Sequence, residues 1–200
     1  GQVIVKSWME TAVSIQGNSF ISEKDGVILI TSQDDLFLAV PAKTSISLGV
    51  VTGDVTLKHL EGGITGDNLQ GNVMLNNVDA VQIDIIGQSL TAENLNSLLD
   101  IERIEGDVSL QRVGEVKLGN LKGAVTIEYV NGSVKLSQVE GELRLKSISG
   151  DVMVANALLD VTLQNLGGNN SLPSVMGNIW LVGGLRAGKQ TFFSEKSIFI

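Results

Sequence analysis

Glycine stands at positions 53, 62 and 71, and again at 114, 123, 132, 141 and 150. The interval is nine residues. Aligning the chain on these positions yields a unit G-x-Φ-x-Φ-x-x-Φ-x, in which Φ is aliphatic. Gly53-Asp-Val55-Thr-Leu57-Lys-His-Leu60, Gly106-Asp-Val108-Ser-Leu110-Gln-Arg-Val113 and Gly123-Ala-Val125-Thr-Ile127-Glu-Tyr-Val130 are clear copies. Sixteen units fit, from Thr44 to the one that begins at Gly177. Two steps, 71 to 79 and 106 to 114, are eight residues. Of the 48 Φ positions, 45 are apolar, and the exceptions are Gly66, Asn170 and Gly184. A unit of nine is too short to hold a helix and its return. It suits one strand and one corner, and the Φ-x-Φ alternation is a strand with one buried face.

Segment 88–105 tests this reading. Thr91-Ala-Glu-Asn has the look of a helix cap, yet Leu90, Ala92 and Leu95 fill one unit and Leu99, Ile101 and Ile104 the next. The register runs on to Gly106 without a gap, so strands are expected here. Single units cannot bury a face, and stacked units can. The fold class expected is all-β: a parallel β-solenoid, with two units per 18-residue coil favoured over three. Glycine at the slot is expected to supply a positive φ or a close backbone approach at the corner.

Residues 1–43 fall outside the repeat and read as an N-terminal β cap. Strand candidates are Val3–Val5, Ala12–Ile15, Ser19–Ile21, Val27–Ile30 and Leu36–Val40, with Asp25-Gly26 as a hairpin turn and Trp8 as an anchor on the first coil. Residues 44–185 are the solenoid and 186–200 a C-terminal capping strand, all in one integrated domain. Phe193 and Phe199 mark that end as a candidate assembly edge, because open solenoid ends are unpaired.

Composition removes several function classes. There is no cysteine, so no disulfide framework or thiolate metal site. One histidine forbids a histidine cluster within one chain. A net charge of −8 argues against a nucleic-acid surface. No apolar run approaches the length of a membrane-spanning helix, so membrane insertion by this segment is not expected. A signal or anchor ahead of Gln2 remains open, and lack of cysteine suits both cytoplasm and cell surface.

No catalytic constellation emerges. His59 has no nucleophile motif beside it and reads as a solvated corner residue. Gly62-Gly-Ile-Thr-Gly-Asp67-Asn-Leu69 partly matches the nonapeptide calcium repeat, but no other unit repeats the aspartate, and calcium needs about six to eight oxygens. The outward mid-strand row, with Thr56, Met74, Asp100, Lys117 and Arg144, is too mixed for an ice-matching surface. Catalytic residues, metal and cofactor are therefore not expected. The charge is uneven: residues 53–111 carry ten acidic residues against Lys58 and Arg103, while residues 112–177 carry six of each sign. Asp84, Asp100 and Asp107 are candidates for a surface facing a cationic partner.

The order of features resembles a large bacterial adhesin domain family of unknown function with a β-solenoid fold. The resemblance rests on Val5-Lys-Ser-Trp8 with Ala12-Val-Ser-Ile15, on Leu38-Ala-Val40-Pro41, and on Gly53-Asp54-Val55, Gly106-Asp107-Val108 and Gly150-Asp151-Val152. It implies a non-catalytic structural or adhesive module, at the cell envelope or outside the cell, with a protein or cell-surface partner. Two alternatives are a cytoskeleton-like solenoid that polymerises end to end and a sensory or regulatory domain of a membrane protein.

Overall fold

The computed structural model describes residues 1–24, 27–184 and 188–200. Among them every element is a strand, and no helix occurs. The strands stack in parallel as a β-solenoid. Val55–Leu60 pairs with Val73–Val78, with Val55 opposite Val73. That offset of 18 residues settles the coil at two units, one strand on each of two faces. The first face continues through Leu90, Val108, Val125, Leu143, Val161 and Ile179. The second runs through Ile46, Ile64, Val81, Leu99, Val116, Val134 and Val152. Each eight-residue step shortens the registers that cross it, as between Val73 and Leu90 or between Leu99 and Val116. All of segment 88–105 except its first two residues and its last forms the strand Leu90–Ile104.

All three Φ positions of nearly every unit point inward. One apolar cluster runs from Val5 to Ile179. Each aliphatic side chain is covered by its own kind from the coils on either side, as Leu136 is between Leu118 and Val154. Burying a side chain of this size contributes about 1.5–3 kcal/mol, so the stacked rows are the main source of stability. The Φ exception Gly66 is filled by its neighbours: a Cβ there would lie 3.2 Å from Ile83. Asn170, 1% exposed, replaces an aliphatic contact with hydrogen bonds from its Nδ2 to Gly167 O (3.1 Å) and Gln190 Oε1 (2.8 Å).

Corners require the chain to turn within a residue or two, and the two sides of the coil do this differently. On the first face the turn falls at His59, Asn77, Asn94, Arg112, Tyr129, Ser147 and Asn165, all with φ between 52° and 59°. Asparagine is among the residues that tolerate this region best. The slot glycines do something else. Apart from Gly168, none has a positive φ. They stack backbone on backbone: a Cβ on Gly150 would lie 2.6 Å from the carbonyl carbon of Gly132. Of the two roles expected for them, close approach is the one they perform.

The cap departs from chain order. Val3–Trp8 lies between Leu36–Pro41 and Val55–Leu60, parallel to both. Ser14–Gln16 closes the edge by pairing antiparallel with Leu36–Pro41. Trp8 is half-buried and donates its indole N–H to Ala12 O (2.8 Å). It therefore ties the turn between the first two strands rather than anchoring the core. Ser19–Lys24 and Val27–Ser32 form a separate antiparallel hairpin. The expected turn at Asp25-Gly26 lies outside the described residues. At the other end Gln190–Ser194 and Ile198–Phe199 pair in parallel with the preceding coil. They are thus the last coil itself rather than a lid over it.

Candidate functional site

The recurrent aspartate of the Gly-Asp pairs is the most chemical feature of the repeat. Asp54 Oδ1 accepts from the backbone N–H of Asn72 (2.8 Å) and from its side chain (3.1 Å). Asp107 Oδ1 accepts from Ala124 N–H (2.9 Å), and Asp151 Oδ1 from Asn169 N–H (2.8 Å). In every case the acceptor caps an N–H of the next coil that the corner leaves outside the strand ladder. Ser89 and Ser133 do the same through their hydroxyls, to Asp107 and Asp151. The aspartates are braces between coils. An alignment at 18 residues carries the signal: Asp54, Asn72, Ser89 and Asp107 share one corner, and Ser133, Asp151 and Asn169 the other.

Asp160 belongs to the same set. Its carboxyl is held below the usual carboxylate range, chiefly by the backbone N–H of Asn178 (2.8 Å) and then by the Asn178 side chain (3.2 Å). A protonated carboxyl loses this advantage. The contribution is therefore complete above the unfolded-state value, near 4, and is lost as pH falls through the lower folded-state value. Urea midpoints measured from neutral to acid pH should fall less steeply for Asp160→Asn than for the parent chain. Parallel curves would remove Asp160 as a contributor.

His59 is exposed at the first-face corner, and Asn77 Nδ2 donates to its Nδ1 (3.0 Å). Both line a shallow groove of about 530 Å³ with Ser7, Lys43, Glu61 and Asp79. Asp79 is itself bonded to Ser97 (2.9 Å). Among the described residues no group of three metal-ligating side chains converges, here or elsewhere.

The three candidate acidic residues do not form one patch. Asp107 is a corner brace. Asp100, on the second face, pairs with Lys117 (2.6 Å), and this carboxylate raises the lysine pKa. Asp84 is exposed on that face, and the register sets it beside Asp67 and Glu102. Two other acids of residues 53–111 are met by cations one coil on. Glu93 pairs with Arg112, and Glu105 bonds Lys122 (2.5 Å) and Arg103 (2.5 Å). Lys122, followed by Arg103, holds the Glu105 carboxyl below its ordinary range. Asp67, Asp84 and Glu102 form a short acidic stripe on the second face, and among the described residues none of the three has a salt-bridge partner.

At the C-terminal end, Phe199 stacks on Trp180 with ring centroids 4.0 Å apart and planes 13° from parallel. Phe193 points outward and is exposed. Ile198, which pairs with the buried Ile179, is also exposed.

No family model matches the chain, and no curated protein and no solved structure is significantly similar to it.

Proposed function

We propose that this chain works as a non-catalytic structural or adhesive module associated with the cell envelope, presenting two stiff sheet faces to a protein or cell-surface partner. One observation carries the reading. The aspartates that give the repeat its chemical look, Asp54, Asp107 and Asp151, spend their carboxylates on N–H groups of the neighbouring coil. The resemblance to the adhesin domains supports the same reading. The contact surface for a cationic partner is the stripe Asp67–Asp84–Glu102. Beads coated with the purified chain should hold to bacterial cell-surface preparations under flow, and Asp84→Lys should reduce retention. Retention no better than that of albumin-coated beads would sink the proposal.

A second reading, a solenoid that joins copies end to end, is favoured by the pairing of its C-terminal strands. Its strands Gln190–Ser194 and Ile198–Phe199 each have a neighbour on one side only among the described residues.

A further inference from the structure

A cleft on the first face, on the other side of the coil from the acidic stripe, is built around Trp180. Arg144, Thr162, Trp180 and Phe199 follow one another along the outward row of that face, one per coil. The rings of Trp180 and Phe199 are 13° from parallel, with centroids 4.0 Å apart. Rings on neighbouring strands, ~4.8 Å apart, stack this closely only by standing up from the sheet like pages. Phe199 therefore covers one face of the indole, and the other face looks back over Thr162 toward Arg144. Thr162 is short, so the row dips there. The dip is a cleft of about 190 Å³ lined by Glu142, Leu143, Arg144, Asp160, Thr162 and Trp180. Trp180 is 41% exposed, yet its pose is fixed twice. Phe199 holds the ring, and the indole N–H is turned to Asp160, where it helps hold that carboxyl below its ordinary range. Asp160 is fixed in turn by Asn178.

We infer that this cleft binds one neutral sugar ring of a cell-surface glycan, stacked on the open face of Trp180 with its hydroxyls bonded to Arg144, Glu142 and Thr162. That the sugar belongs to a cell surface rests on the adhesive reading above, while the cleft stands on its own geometry. Arg144 and Trp180 are two pairing steps apart, ~9.6 Å along the solenoid. An inserted ring needs ~3.5–4 Å to the atoms on each side, so one ring fits and two do not. Drug-sized ligands occupy ~300–1,000 Å³, and this cleft is smaller. The mixed charge of the lining selects the kind of ring. A cation would meet Arg144, and an anion would meet Glu142 and Asp160. A neutral sugar avoids both conflicts. Its C–H face is slightly positive and suits the negative face of the indole. Its hydroxyls both donate and accept, so they satisfy a guanidinium and a carboxylate side by side. Arg144 and Glu142 can turn to meet it: their side chains are 67% and 61% exposed, and their own contact is a long 3.5 Å.

Nuclear magnetic resonance of the isotope-labelled full chain tests this. The chain has two tryptophans, so Trp8 and Trp180 give two indole N–H signals, assigned by the loss of one in Trp180→Phe. The probes are the methyl glycosides of glucose, galactose, mannose and N-acetylglucosamine. At least one should move the Trp180 signal saturably, in the millimolar range, and leave Trp8 in place. Thr162→Arg lays a guanidinium on the indole and should abolish the shift. Thr162 points outward, so circular dichroism and melting of this variant should match the parent. If none of the four glycosides moves Trp180, the inference is overturned. A shift that persists in Thr162→Arg would place the binding elsewhere and overturn it too. Phenol moving Trp180 where no glycoside does would assign the cleft to an aromatic side chain of a protein partner instead. The bead assay fails separately. Beads that hold to cells while no glycoside moves Trp180 would remove the sugar site and keep the adhesive reading. Beads that do not hold while Trp180 moves would keep the sugar site and remove its cell-surface setting.

Discussion

Gly150→Ala should destabilise the chain by about 3 kcal/mol, as overpacking in a close-packed interior does, while Gly63→Ala should change stability by less than about 0.5 kcal/mol. The two glycines are both in the solenoid and neither has a positive φ. Their surroundings differ. A Cβ at Gly150 would meet the backbone of Gly132 and Ser133 at 2.6–2.8 Å, and backbone held in a ladder cannot swing aside. The coils would have to separate locally, and the Gly150 N–H bond to Gly132 O (3.1 Å) lies at the point of separation. A Cβ at Gly63 would meet nothing within 4 Å. Urea denaturation of the two variants gives the comparison directly. Equal midpoints would mean that the slot glycines are not there for close approach.

A second large effect is expected at Leu136. It is fully buried midway along the solenoid, between Leu118 and Val154. Leu136→Ala removes methyl groups that the coils on both sides cannot replace without breaking their own register, and about 2–5 kcal/mol should be lost. Ile198→Ala, in the same kind of row but 43% exposed, should cost less than about 1 kcal/mol, because that side chain is already half in water. Stability in a solenoid is a sum of coils and the contacts between adjacent coils. Native-state hydrogen exchange should therefore show protection lost first around Val134–Val139 in the Leu136 variant. A penalty for Ile198→Ala as large as that for Leu136→Ala would contradict this picture.

Much of the solenoid was legible in residue order because its physics is local and repetitive. An aliphatic residue at each Φ position is needed once per unit, and the glycine slots mark where coils touch. The strand through 88–105 could be read against a helix-like cap for that reason: Leu90, Ala92, Leu95, Leu99, Ile101 and Ile104 each had a place waiting. The cap was not legible in the same way. Val3–Trp8 comes first in the chain but lies between Leu36–Pro41 and Val55–Leu60, a long-range insertion that no period announces. At the candidate site, net charge was readable and pairing was not. Asp100 and Asp107 looked like surface charge until the coil offset, 17 residues at both, brought Lys117 and Ala124 to them. The same offset turns a row of unremarkable corner residues, His59, Asn77, Asn94 and Arg112, into a column with one backbone conformation.

That column has a consequence for how such a molecule can change length. Among the described residues, non-glycine bends through the left-handed region occur on the first face and not on the second, so successive nine-residue units are alternating parts rather than equivalent ones. Inserting or deleting one unit would exchange the roles of every strand beyond the change, sending side chains such as Ile85 or Val50 to bends they cannot easily adopt. A change of a whole coil leaves every bend in place. Growth or trimming of this chain therefore obeys a parity rule, in which its units come and go in pairs.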